Sequence, residues 1–277
     1  MAESHYLDVP GGRLAYDDTG TGPLVICVPG MGDLRGEYRQ LAPQLVAAGY
    51  RAVTLDVRGH GESSVGWPDY SVPAIGADML ALARALGAGP AVLVGTSMAG
   101  GAAVWAAAEA PDEVAGLVLI GPFVRDMGSR WQQRLIHLLF GVVFARPWGP
   151  AVWLRYIATL YPTARPDDFA TYMRRLKTNL RAPGRFTALR QMLFASKAAS
   201  EARLAQVKAP VLVIMGTRDR DFKDPAAEAR LVAERLHGSV RMIEGAGHYP
   251  HAEMPARTGP AIIGFLDAIR KDVARGA

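Results

Sequence analysis

Short, continuous apolar runs alternate with helical stretches along nearly the whole chain, and this alternation narrows the possible folds more than any other feature. Residues 23–28 form such a run, closed by Pro29-Gly30, and 52–55, 91–94, 116–120, 211–215 and 240–243 follow. Apolar runs of this length, bounded by turn residues, fit strands buried on both faces of a parallel sheet. Between them the pattern predicts helices over 37–48, 73–86, 98–110, 225–236 and 255–270. Ahead of them, residues 5–9 and 13–17 alternate apolar and polar around Pro10-Gly11-Gly12, the signature of an antiparallel hairpin. Strands alternating with helices imply βαβ units, right-handed crossovers and a doubly wound sheet.

One interval breaks the rhythm. From 122 to 204 no strand is predicted, and helical patterns rich in aromatics take over, Trp131, Phe140, Trp153 and Tyr172 among them. The sequence therefore divides into a core of 1–121 and 205–277 and an all-helical cap of 122–204, with extra packing helices as the alternative. At 277 residues the chain can bury a large core without staples, and its single Cys27 cannot form an internal disulfide. Cys27 sits mid-strand and reads as core; a lone cysteine fits a reducing compartment. The N-terminus lacks an apolar signal region. The most apolar stretch, 135–145, is shorter than the roughly 20 residues a membrane span needs. A cytoplasmic protein without a membrane span is expected. The net charge of +5 is scattered, and nucleic-acid binding would want a basic stripe.

The most informative ten residues are Val92-Leu93-Val94-Gly95-Thr96-Ser97-Met98-Ala99-Gly100-Gly101. An apolar strand runs into Gly-x-Ser-x-small and then an Ala-rich helix, the context a nucleophile elbow requires. Small residues two before and two after the serine let strand and helix pass, and the serine hydroxyl stands at the helix N-terminus, where the dipole favours negative charge. Ala99 stands where the pattern has a second glycine, adding one methyl group.

On these residues the chain resembles the α/β-hydrolase family, in its serine-hydrolase branch with a helical cap, over nearly its full length. The resemblance implies a mostly parallel, eight-stranded twisted sheet flanked by helices. It also implies the chain order nucleophile, acid, histidine. Pro210 to Asp219, ending Gly216-Thr217-Arg218-Asp219, looks like the penultimate strand with its acid turn. Gly245-Ala246-Gly247-His248-Tyr249-Pro250 resembles the histidine loop, and Asp56-Val57-Arg58-Gly59-His60-Gly61 a structural turn of the family. Ser97 is then the nucleophile, His248 the general base and Asp219 the orienting acid. A serine hydroxyl needs a base to take its proton, histidine is largely neutral near pH 7, and a buried carboxylate fixes the tautomer. His251 competes for the role of base and Asp126 for that of acid. Asp224, before Pro225, reads as a helix N-cap.

The oxyanion needs two donors. One is the backbone N–H of Met98; by resemblance the other is that of Met31, in Pro29-Gly30-Met31-Gly32. Many relatives have His-Gly where this chain has Pro29-Gly30, which leaves open how the loop is held. Gly30, Trp131, Phe140 and Tyr249 are candidate substrate-lining residues, while Arg35 and Arg125 read as surface arginines before carboxylate binders. A serine at the elbow points to attack on an acyl carbon. The expected activity is hydrolysis of a carboxylic ester or related acyl compound, with a largely apolar, small to medium substrate. Carbon–carbon bond hydrolysis, metal-free perhydrolysis and a slow-turnover small-molecule receptor are the alternatives. No histidine–cysteine set has metal-ligand spacing, no dinucleotide fingerprint is present, and no cofactor is expected. The substrate's identity and the oligomeric state are not written in the sequence.

Overall fold

The computed structural model describes residues 4–128 and 130–276. Its strands are β1 (His5–Val9), β2 (Gly12–Thr19), β3 (Leu24–Val28), β4 (Arg51–Leu55), β5 (Ala91–Thr96), β6 (Val114–Ile120), β7 (Val211–Gly216) and β8 (Ser239–Ile243). They form one eight-stranded sheet in the order β1-β2-β4-β3-β5-β6-β7-β8. The first hairpin is antiparallel and β2 pairs antiparallel with β4; from β4 onward every pairing is parallel. Each apolar run read from the sequence is one of these strands. β3, β5 and β7 are buried at every residue, because helices cover both faces.

The helices are α1 (Ala42–Ala47), α2 (Val72–Leu86), α3 (Met98–Glu109), α4 (Arg130–Val143), α5 (Gly149–Thr159), α6 (Phe169–Arg181), α7 (Arg185–Leu193), α8 (Ala198–Glu201), α9 (Pro225–Arg235), α10 (Pro250–Glu253) and α11 (Pro255–Gly276). On one face α2, α3 and α9 bury Ile75, Met79, Ala103 and Val232 against Ile26, Leu93 and Val213. On the other, Leu45, Ile262 and Leu266 pack on Val25, Val94 and Ile214. The helix expected over 37–48 is broken. A 3₁₀ turn, Arg35–Gln40, precedes α1, because Pro43 has no N–H to donate back to Arg39 and cannot sit inside one continuous ladder.

Chain order reverses at β3: the chain leaves it for β4 on one side and returns as β5 on the other. The carboxyl ends of β3 and β5 flank the crevice such a switch point creates, the usual place for a ligand in an open α/β sheet. Among the described residues no strand lies between β6 and β7; α4 to α8 fill that interval. Their aromatics form a separate cluster of Phe144, Trp153, Tyr161, Tyr172 and Phe186, which also takes in Tyr249 from the core.

The turn after β4 is pinned by a buried ion pair. Arg58 donates to both Asp78 oxygens at 2.7 Å and to the carbonyls of Asp69 and Ala74. Removing one partner strands a buried charge, so Asp78→Ala is expected to destabilise the fold by about 3–5 kcal/mol, measured by urea unfolding.

Candidate active site

β5 delivers Ser97 at its carboxyl end in the left-handed region, φ 57° and ψ −121°. Such a backbone is strained for a residue with a Cβ. Three hydrogen bonds hold it: Ser97 N–H donates to Ile120 O at 2.8 Å, and Gly100 and Phe123 N–H donate to Ser97 O at 3.0 and 3.1 Å. Close passage explains the small neighbours. A Cβ on Gly95 would stand 2.7 Å from Gly100 N, and one on Gly30 would stand 3.1 Å from Ser97 Cβ. Ala99, buried, fits within α3 as it is.

Asp219 follows β7 and His248 follows β8. His248 Nδ1 and Asp219 Oδ2 are 2.8 Å apart, and both residues are 2% exposed, beside a Ser97 that is 5% exposed. Gly121, just after β6, is where the three meet. Ser97 bonds the preceding residue, Ile120, while a Cβ on Gly121 would lie 2.9 Å from His248 Nδ1 and 3.2 Å from Asp219 Oδ2. Only glycine leaves that space. Ser97 Oγ and the His248 ring are not hydrogen-bonded in this structure. Contacts of this kind are often loose without substrate. The His248 loop is tied to the insertion: His248 N–H donates to Leu160 O at 3.2 Å, and buried Glu253 accepts from Gly247, Thr163 and Ala164.

A second carboxylate stands at the histidine. Asp221 Oδ2 is 3.5 Å from His248 Nδ1, Asp221 N–H donates to Asp219 Oδ1 at 3.0 Å, and the Tyr156 hydroxyl from α5 donates to Asp221. Burial opposes charge on the imidazole, but Asp219 and then Asp221 outweigh it and lift the His248 pKa to about 9. Burial also raises the Asp221 carboxyl, with His248 opposing. Ligand atoms of Asp219, Asp221 and His248 lie within 4.8 Å of one another, near enough to hold a cation. The contacts to Nδ1 and from Tyr156 already engage them, which matches an acid–base cluster.

The loop after β3 is held by groups the sequence did not single out for this task. Gly30 N–H donates to Glu37 Oε2 at 3.2 Å, and Gly32 N–H donates to His60 Nε2 at 3.0 Å. His60 in turn faces Arg58 O through Nδ1 at 3.1 Å, and burial lowers its pKa to about 4, keeping it a neutral acceptor. Asp33, at the loop's end, takes the Tyr172 hydroxyl from α6. Among the described residues Met31 N–H has no acceptor. Met98 N–H is one of the four donors a helix start leaves free. Pro29 therefore does not leave the loop loose. Above it, the Trp153 indole sits against Gly32, its buried N–H unpaired among the described residues.

Other candidates fall as follows. His251 is buried with Nε2 2.9 Å from Glu37 Oε1 and its ring on Tyr38. Asp126 bonds Ser196 and Lys197 N–H, and Asp224 caps α9 through Ala227 N–H at 2.9 Å. Arg35 pairs with Asp17, Asp56 and Glu62, and Arg125 with Glu228. Tyr249 lies edge-on to the His248 ring, with centroids 5.2 Å apart. Phe140 packs on Phe144 in the insertion, and Trp131 is 66% exposed on α4. Phe123 and Phe222, stacked at 4.9 Å, both flank His248; periodicity alone could not have placed them there.

A family model described as alpha/beta hydrolase fold matches residues 23–255. A protein of Mycobacterium tuberculosis with a provisional non-heme bromoperoxidase name is 30% identical over 277 residues, 93% of this chain and 99% of its own. The 2-(acetamidomethylene)succinate hydrolase of Mesorhizobium japonicum is 26% identical over 281 residues, 97% of this chain and 98% of its own. A thermophilic esterase from Thermogutta terrifontis superposes with a TM-score of 0.78 at 27% identity, covering 97% of this chain and 99% of that one. With the sheet order, the strained serine turn and these matches together, the chain belongs to the α/β-hydrolase fold family.

Proposed function

We propose that this chain is a serine hydrolase acting on a carboxylic ester or related acyl compound through an acyl-Ser97 intermediate. The observation that carries this reading is the strained serine turn set beside a buried, hydrogen-bonded His248–Asp219 pair. Ser97 Oγ attacks the carbonyl carbon as His248 Nε2 takes its proton. Charge on the carbonyl oxygen is held by the N–H groups of Met31 and Met98, donors fixed before reaction. Collapse expels the alcohol, which takes the proton from His248. Water, deprotonated by the same ring, then attacks the acyl carbon and restores Ser97, releasing the acid. Asp219 keeps Nδ1 protonated and steadies the imidazolium. The helices of 122–204 act as a cap, and the rings of Phe123 and Phe222 favour an apolar acyl group. The related esterase and succinate hydrolase support hydrolysis.

The mycobacterial relative supports a second use of the same acyl-serine, in which hydrogen peroxide replaces water and releases a peracid. Assays with p-nitrophenyl acetate and butyrate, a β-diketone, and bromide oxidation in acetate with peroxide separate the readings. Ester turnover is expected to dominate; no turnover of any acyl substrate, with tight small-molecule binding, would favour a receptor.

The pH dependence has a definite sign. The neutral His248 ring is the active base, so a pKa lifted towards 9 moves the rise in kcat/KM to higher pH. The profile is expected to climb through pH 7 with an apparent pKa above the ordinary value of about 6.5. A plateau already complete at pH 7 would contradict it. Asp221→Asn removes one of the two carboxylates and should shift the limb towards acid.

A further inference from the structure

Among the described residues, eight of the eleven exposed large apolar side chains lie between Met127 and Trp148. On α4, Trp131, Leu135, Leu138, Leu139 and Val142 stand at i, i+4, i+7, i+8 and i+11, one stripe about 100° wide. Their exposure runs from 56% at Leu139 to 69% at Leu138. The helix already has an inner face, where Phe140 meets Phe144 edge-on at 5.5 Å and Phe144 is buried. The stripe is thus a second apolar surface on a helix that has no need of it for folding. Trp148 extends it past the helix, with its indole N–H donating to Val142 O at 3.0 Å. Patches of this kind on soluble proteins mark contact with a partner or a membrane.

Charge decides between partners. From 127 to 166 the chain has no Asp or Glu, while Arg134, on α4 one residue before Leu135, and Arg146, two residues before Trp148, are exposed. Two copies meeting through this stripe would bring Arg134 and Arg146 of each copy together, with no acid between residues 127 and 166 to offset them. We infer that this face docks on an anionic phospholipid bilayer, α4 lying parallel to the surface. The apolar stripe enters the boundary between headgroups and acyl chains, and Arg134 and Arg146 face lipid phosphates. Trp131 and Trp148 mark its two ends, as tryptophans do at membrane interfaces. At 14 residues α4 is too short to span, and among the described residues no helix is long and apolar enough to cross a membrane. The docking uses no catalytic group and stands apart from the proposed reaction.

Co-sedimentation with vesicles of phosphatidylcholine, alone or mixed with phosphatidylglycerol, tests it. The protein is expected to partition onto the mixed vesicles at least about tenfold more strongly, less so at high salt. Leu135→Glu with Leu139→Glu should lower that partition more than about tenfold, with the thermal melt unchanged. Leu231→Glu, at an isolated exposed apolar site on α9, should leave it intact. Absence of binding, or equal binding to both vesicles, overturns the inference. So does a dimer, seen by light scattering, that the double substitution splits.

Discussion

Ser97→Ala is expected to lower ester turnover by about 10⁴-fold or more, the scale reached when the nucleophile of a serine hydrolase is removed. The loss comes from chemistry rather than folding. Among the described residues Ser97 Oγ makes no hydrogen bond, so alanine leaves no stranded partner, and stability should change by less than about 1 kcal/mol. The backbone strain stays, because alanine keeps the Cβ at φ 57°. Ser97→Gly removes that Cβ and is expected to stabilise the fold by about 1 kcal/mol while also abolishing turnover. Gain of stability with loss of activity at one position would show that the turn stores strain to present the hydroxyl. Kinetics and urea unfolding on wild type and both variants measure it; retention of more than a tenth of wild-type turnover by the alanine variant would refute the nucleophile assignment.

The second large effect separates two neighbouring acids. Asp219→Asn should cost on the order of 10³–10⁴-fold in kcat, since an amide at 2.8 Å from Nδ1 no longer holds the tautomer or balances the imidazolium. Asp221→Asn should cost less than about tenfold, because Asp221 lies 3.5 Å from the ring and is shared with Tyr156. Its mark is the shifted pH limb rather than a lost rate. Steady-state kinetics over a pH series distinguishes them. If Asp221→Asn abolished turnover and Asp219→Asn did not, the two roles would have to be exchanged.

Much of the fold was legible because a parallel sheet writes itself as apolar runs: β3, β5 and β7 must be buried on both faces, and their residues say so. The candidate trio Ser97, Asp219 and His248 could be proposed from sequence for a different reason, since each follows a strand in a turn whose glycines permit close passage. What periodicity could not convey is contact between distant segments. His60 looked like part of a structural turn, yet it accepts from Gly32 N–H in the loop after β3. Glu37 lay inside a stretch read as one helix; Pro43 breaks that helix, and the carboxylate turns to the loop and His251 instead. Asp221 had a visible signal, an acid two residues after Asp219, but only three dimensions show it facing the same ring nitrogen. The outer stripe of α4 falls within the apolar stretch 135–145, and an apolar run alone does not say which face of a helix finds a partner.

Reaction with a fluorophosphonate, followed by peptide mass spectrometry, tests the nucleophile most directly. One adduct per chain is expected, on Ser97, absent from Ser97→Ala and formed far more slowly by Asp219→Asn. An adduct on any other residue, or equal labelling of Ser97→Ala, would contradict the assignment.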